Sequence, residues 1–231
     1  NSYSSSFLKP ESEYSFLINY NSDEKKLKSD TLSFFVDSLP DFLPNFTLLK
    51  EDDYEFNGYI FLRTQMDPGI QLLLDDHANI VWYQKSDTSL SRPFDISSSD
   101  SYLSLYNPSL IYKINFIGDT LLKIDTKCEI LHHELTNDNN NNIIALTYEY
   151  KTFDLSNFGG GEKDSIKGDG LVVYDSSGKL VWKWNVFDHE DPLTYKNINS
   201  LKKDWTHGNG IGVTHDNNYV LSLRTLNQLW K

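Results

Sequence analysis

Short apolar runs divided by polar clusters set the rhythm of the chain. Tyr14, Phe16 and Ile18 alternate with polar neighbours, and so do Leu32, Phe34 and Val36. A period of two predicts half-buried antiparallel strands, here joined by the polar turn at 21–26. Leu39-Pro40 and Leu43-Pro44 read as a stiff linker. From about Tyr54 two elements recur. One is an apolar strand after polar residues: GYIFLR at 58–63, NIIALT at 142–147 and NYVLSLR at 218–224, with YLSL at 102–105 a fainter copy. The other is an Asp, a turn and a strand: DDHANIVW at 75–82 and DSSGKLVW at 175–182, with DTKCEI at 125–130 a degenerate copy. Asp75, Asp125 and Asp175 lie 50 positions apart.

The Asp and Gly of such a unit serve a tight hairpin turn, and the Trp fills space between sheets. A β unit at this spacing predicts four-stranded blades of a β-propeller. A plain β-sandwich would use similar hairpins. No long stretch has a period of 3.6, and residues 193–203 are the place for a short helix. The fold expectation is therefore all-β. A small β-segment with its linker occupies 1–48, and a partial propeller of about three blades occupies 49–231. Such a count leaves the ring unclosed, so the remaining blades are expected elsewhere: in further sequence, in a separate chain or in a homo-oligomer.

Composition narrows the function. The chain has 231 residues, 39% hydrophobic and 14% aromatic, enough for a sizeable core. It is acidic, with 33 Asp and Glu against 21 Lys and Arg, a formal charge of −12. Its arginines are Arg63, Arg92 and Arg224. Nucleic acid and anionic membranes need clustered basic residues and are excluded as partners. No apolar run approaches the roughly 20 residues of a membrane span. Cys128 has no cysteine partner and, in a strand-like run, is expected as a small buried or half-buried side chain, not a nucleophile. The triplet Asn45-Phe46-Thr47 fits a glycosylation acceptor and, with the Asn-rich acidic character, suits an exported protein, periplasmic or at the cell surface.

The candidate chemistry lies in the histidines. His77 and His215 fall in polar hairpin turns and read as solvated turn residues. His132-His133-Glu134 and DWTHGNG at 204–210 each sit just upstream of an apolar strand. Equivalent positions in a propeller converge, so two His-bearing segments at one radius suggest a site. Zinc is an alternative, but no Cys is near, and adjacent His132 and His133 on a regular strand would point to opposite faces. The Asn- and Asp-rich loops lack a calcium-loop pattern. The GGGEKDS run at 159–165 is not a phosphate loop, because Glu162 interrupts the required order; it reads as a mobile surface loop. No metal and no cofactor is implied.

The run at 168–192, GDGLVVYDSSGKLVWKWNVFDHEDP, resembles the aryl-sulfate sulfotransferase family. So do DWTHGNG at 204–210 and YVLSLRTLNQ at 219–228, and His132-His133-Glu134 is similar to that family's His-His-acidic motif. The resemblance covers about residues 50–231. It implies a propeller of roughly six blades after a small β-domain. The LKPESEY segment at 8–14 is similar to the corner strand of a fibronectin-type sandwich, which fits that β-domain. The resemblance also implies transfer of a sulfuryl group from an aryl sulfate to a phenol through a sulfohistidine, without a nucleotide donor. By motif, His207 and one of His132 and His133 would bind the sulfuryl group or handle the proton, and Arg224, 17 positions after His207, would clamp its oxygens. Trp205 and Asn209 fall on the substrate-binding side of the same motif. The histidine that takes the sulfate lies in a later blade of the family and has no counterpart in this sequence. Two other readings keep the scaffold: a non-catalytic cell-surface propeller binding a glycan or protein, and a metal-dependent hydrolase.

Overall fold

A computed structural model describes residues 8–22, 25–49, 56–64, 69–85, 94–98 and 100–231. The chain divides into two compact units, 1–91 and 92–231. The boundary expected at 48/49 adjoins residues 50–55, which lie outside the described ones.

In the first unit, β1 (Ser12–Phe16) pairs antiparallel with β4 (Leu32–Val36), setting Tyr14 against Phe34. Between them, β2 (Asn19–Asn21) and β3 (Lys26–Lys28) form a small hairpin around the expected turn, part of which lies outside the described residues. The expected half-burial holds for Tyr14 and Val36 but not for the other apolar positions of the pair. Phe16 is 48% exposed and Leu32 56%, because the two-stranded pair has no sheet packed on its apolar face among the described residues. A three-stranded meander follows, β5 (Ile60–Arg63), β6 (Ile70–Leu74) and β7 (Ile80–Lys85). Its centre, β6, is wholly buried.

The second unit is a partial β-propeller. The first antiparallel meander is β8 (Phe94–Ser98), β9 (Ser101–Asn107), β10 (Leu110–Asn115) and β11 (Thr120–Asp125). The second is β12 (Ile130–Asn137), β13 (Ile143–Phe153), β14 (Asp164–Tyr174) and β15 (Leu180–Asn185). The third is β16 (Gly208–Val213), β17 (Tyr219–Leu223) and β18 (Gln228–Trp230). Alternation along β13 explains how they stack. Ile143 and Ala145 face the first meander, packing with Leu103, Leu105 and Ile111. Ile144 and Leu146 face the third, packing with Leu221 and Leu223. A third cluster, around Leu155, Ile166, Phe187, Ile198 and Trp205, is built where the chain leaves the sheets. The short helix expected within 193–203 is there, α1 (Ile198–Leu201). Among the described residues, no helix is long and apolar enough to cross a membrane.

One turn design recurs at five hairpins among the described residues, beginning at Asp75, Asn115, Asp138, Asp175 and Thr214. In each, the side-chain oxygen of the first residue accepts the N–H four positions on. The residue three positions on is left-handed: Ala78, Gly118, Asn141, Gly178 and Asn217. This is the three-residue hairpin loop with a left-handed last position. Asp125 does not belong to the set. It ends β11, and the turn after it leads into the next meander rather than back along the same one. Cys128 sits in that turn and is exposed, not buried or half-buried as its strand-like run suggested. The Gly-rich loop lies at the surface as expected, with Gly159, Gly161, Glu162 and Lys163 exposed, and it is tied at three points. Leu155 N–H donates to Gly161, Asn199 to Gly159 and Lys202 to Asp164.

Candidate functional site

The site begins with a break in β12. His132 pairs with Leu146, yet Leu135 pairs with the adjacent Ala145, so His133 and Glu134 are extra residues. His133 takes φ 52°, a region that side chains rarely adopt. The bulge cancels the opposite-face rule for neighbouring residues. The two imidazoles meet with their Nδ1 atoms 2.8 Å apart. His132 is 7% exposed and lies parallel on the Tyr148 ring, 3.7 Å between centroids. Its Nε2 is 2.9 Å from Asp169 Oδ1, closer to an ion-pair contact than to an aligned hydrogen bond.

Asp169, on β14, is 1% exposed and ties the two sheets together. Its Oδ2 accepts from Thr206 Oγ1 at 2.5 Å and from Gly208 N–H at 2.6 Å. Burial pushes its carboxyl up, but the contacts with His132, Thr206 and Gly208 prevail and hold it below the usual carboxylate value. A Cβ at position 208 would stand 3.0 Å from Asp169 Cγ, so a glycine permits this approach.

The second break is at His207, with φ 49°, followed by a bulge at Asn209 in the pairing of β16 with β17. His207 Nδ1 donates to Asp204 Oδ2. Its Nε2 lies 3.4 Å from Arg224 Nη1. Its backbone carbonyl accepts from Arg224 N–H at 3.0 Å. The His133 ring stands 5.6 Å away. Lys167 Nζ reaches the other oxygen of Asp204 at 2.8 Å and sits 4.1 Å over the Tyr148 ring. Burial works against the Lys167 charge, but Asp204 and Tyr148 outweigh it and raise its pKa. His133 is held below the usual imidazole value by partial burial first, then by His132 and His207.

The structure thus brings together His132, His133, His207 and Arg224. Asn209 is exposed on the adjacent bulge. Trp205 does not join them. It is fully buried, with Phe187 at 5.5 Å and Tyr195 at 5.6 Å, so its ring fills the cluster beneath the site and cannot stack on a substrate. The sequence reading also missed Asp169, Asp204, Lys167 and Tyr148. Asp204 stands three positions before His207, a spacing that could have been read as a carboxylate–imidazole pair. Asp169 had no such signal, since its partners are 37 and 39 positions away. His77 is a turn residue beside Asp76, as expected, and half-buried Asp75 with exposed Asp76 and His77 come within reach of one another in the first unit. Among the described residues, no metal-ligand group of three includes His132, His133 or His207.

An exposed guanidinium, a half-buried imidazole and an exposed imidazole converge on one mouth from two sheets, with buried or half-buried carboxylates behind them. Such donors suit an oxyanion. A sequence model described as Arylsulfotransferase (ASST) matches residues 40–231. No curated protein matches the chain. Among solved structures, the chain is similar to the crystal structure of the WD40 β-propeller domain of Doa1, at 8% identity and a TM-score of 0.43. That alignment covers 69% of this chain and 42% of the other.

Proposed function

The chain belongs to the arylsulfotransferase family, and from that premise we propose that the His133–His207–Arg224 mouth binds the sulfuryl group of an aryl sulfate as it moves to a phenolic acceptor. The observation that carries this is the convergence of Arg224 and His207, 3.4 Å apart, with His133 beside them. A sulfate monoester bears one negative charge over three oxygens. A guanidinium fork matches those oxygens, and an imidazole near neutrality can hold or release a proton at the phenol oxygen. Arg224 is assigned the oxygens, His207 and His133 the oxygens or the proton, and Asn209 the rim of the substrate. His132, buried on Tyr148, supports His133 instead of touching substrate. The sulfuryl carrier is proposed to be a histidine of a further blade, as the family resemblance implies, so the cluster has the supporting half of the reaction. Export to the periplasm or cell surface is proposed with it.

A second reading, a non-catalytic propeller that binds a glycan, has one observation in its favour. A groove of about 910 Å³ lies between the second and third meanders, lined by Trp182, Trp184, Tyr219 and Trp230. None of the clustered residues lines it. Incubating the full-length protein with an aryl sulfate and a phenol separates the two. Sulfate transfer with an acid-labile sulfohistidine supports the first reading. No transfer and no labelled histidine sinks it.

A further inference from the structure

We infer that Asp204 is the positioning residue that fixes the tautomer of His207, keeping the proton on Nδ1 and leaving Nε2 as a bare acceptor turned to Arg224. Two contacts on opposite sides of one ring demand the same answer. A guanidinium has five N–H donors and no acceptor, so Arg224 Nη1, 3.4 Å from Nε2, can meet there only a lone pair. A carboxylate only accepts, so Asp204 Oδ2 requires the proton on Nδ1. Which nitrogen of an imidazole is free is set by the bond that the other makes.

The carboxylate is itself held. Lys167 Nζ takes Asp204 Oδ1 at 2.8 Å, which leaves Oδ2 for the imidazole. The ammonium rests on the Tyr148 ring at 4.1 Å. His132 lies parallel to that ring at 3.7 Å and fills one face, so Lys167 occupies the other. The orientation of His207 therefore depends on β12, β13 and β14, not on its own loop. The groups facing His207 are Asp204 from that loop, Arg224 after β17, and His133 from β12.

The inference rests on the sulfuryl-transfer reading only for what the bare nitrogen is used for. Long-range ¹H–¹⁵N correlation of histidine-labelled full-length protein reads the tautomer directly. The expected result is a protonated Nδ1 and an unprotonated Nε2 at His207. In Asp204→Ala the two tautomers should mix, and kcat for transfer should fall by about 10²-fold or more with KM little changed. Asp204→Glu should restore the Nδ1–H signal. Should Asp204→Ala not fold, Asp204→Asn gives the same readout. A proton on Nε2 of the unmodified protein, or an unchanged tautomer in Asp204→Ala or Asp204→Asn, overturns the inference. Should the tautomer be as stated while no aryl sulfate is turned over, the inference stands and the sulfotransferase reading falls.

Discussion

Two sets of left-handed residues in the second unit differ in what they serve. At the hairpin turns the left-handed conformation falls on Gly118, Asn141, Gly178 and Asn217, residues that tolerate it, and it closes a three-residue loop. At the mouth it falls on His133 and His207, beside bulges that no hairpin requires. Such a conformation disfavours a side chain with a Cβ by about 1–2 kcal/mol. Strain kept where the fold does not need it marks places where a side chain's aim matters more than stability. The turns hold the sheets, and the bulges aim imidazoles.

Substitution by glycine should pull the two regions apart. His207→Gly keeps the backbone free to adopt its conformation and removes the imidazole. Sulfuryl transfer by the full-length protein should fall by about 10³-fold while the melting temperature holds or rises. A loss of folding in its place would make His207 a structural residue. Asp169→Asn comes next. It leaves buried Thr206, Gly208 and His132 facing a neutral amide, and should destabilise the fold by about 2–3 kcal/mol in chemical denaturation. The folded carboxyl lies below its ordinary 3.8, so its stabilisation is present above that pH and is lost as pH falls through the lower folded value. The difference between protein and variant should close in that acid window.

Gly178→Ala tests the other region. At φ 84° it should destabilise by about 1–2 kcal/mol and leave the transfer rate unchanged. The smallest effect is a pH slope. Folding holds His133 below its ordinary 6.5, so its unfolded form binds the proton first. Stability should therefore decline as pH falls below 6.5, and His133→Gln should flatten that decline.

The same contrast explains how much the sequence discloses. The strands β9, β13 and β17 were visible as apolar runs because burial on both faces leaves no other pattern. The turns at Asp75 and Asp175 were visible because an Asp opens them. The turn at Asn115 was not, since Asn accepts the same N–H from a less distinctive sequence; the turn around His215 was visible only as a polar cluster, with Thr214 as the residue that opens it. Asp125 misled for the converse reason, having the letter without the hairpin. His132, His133, His207 and Arg224 were marked by motif, but the bulge that brings adjacent imidazoles together breaks the alternation on which strand reading rests. Trp205 was misplaced because a motif does not show which side of the backbone a ring takes. The ring turned inward, into a cluster built from residues 155–201.

The central claim is that the mouth handles a sulfuryl oxyanion. Arg224 is exposed, so its removal should leave folding within about 0.5 kcal/mol. The direct measurement is the rate of transfer from an aryl sulfate to a phenol by the full-length protein and by Arg224→Ala at equal folded concentration. The account predicts transfer by the unmodified protein and a fall of about 10³-fold in the variant. No transfer by the unmodified protein, or a variant rate within threefold of it, would contradict it.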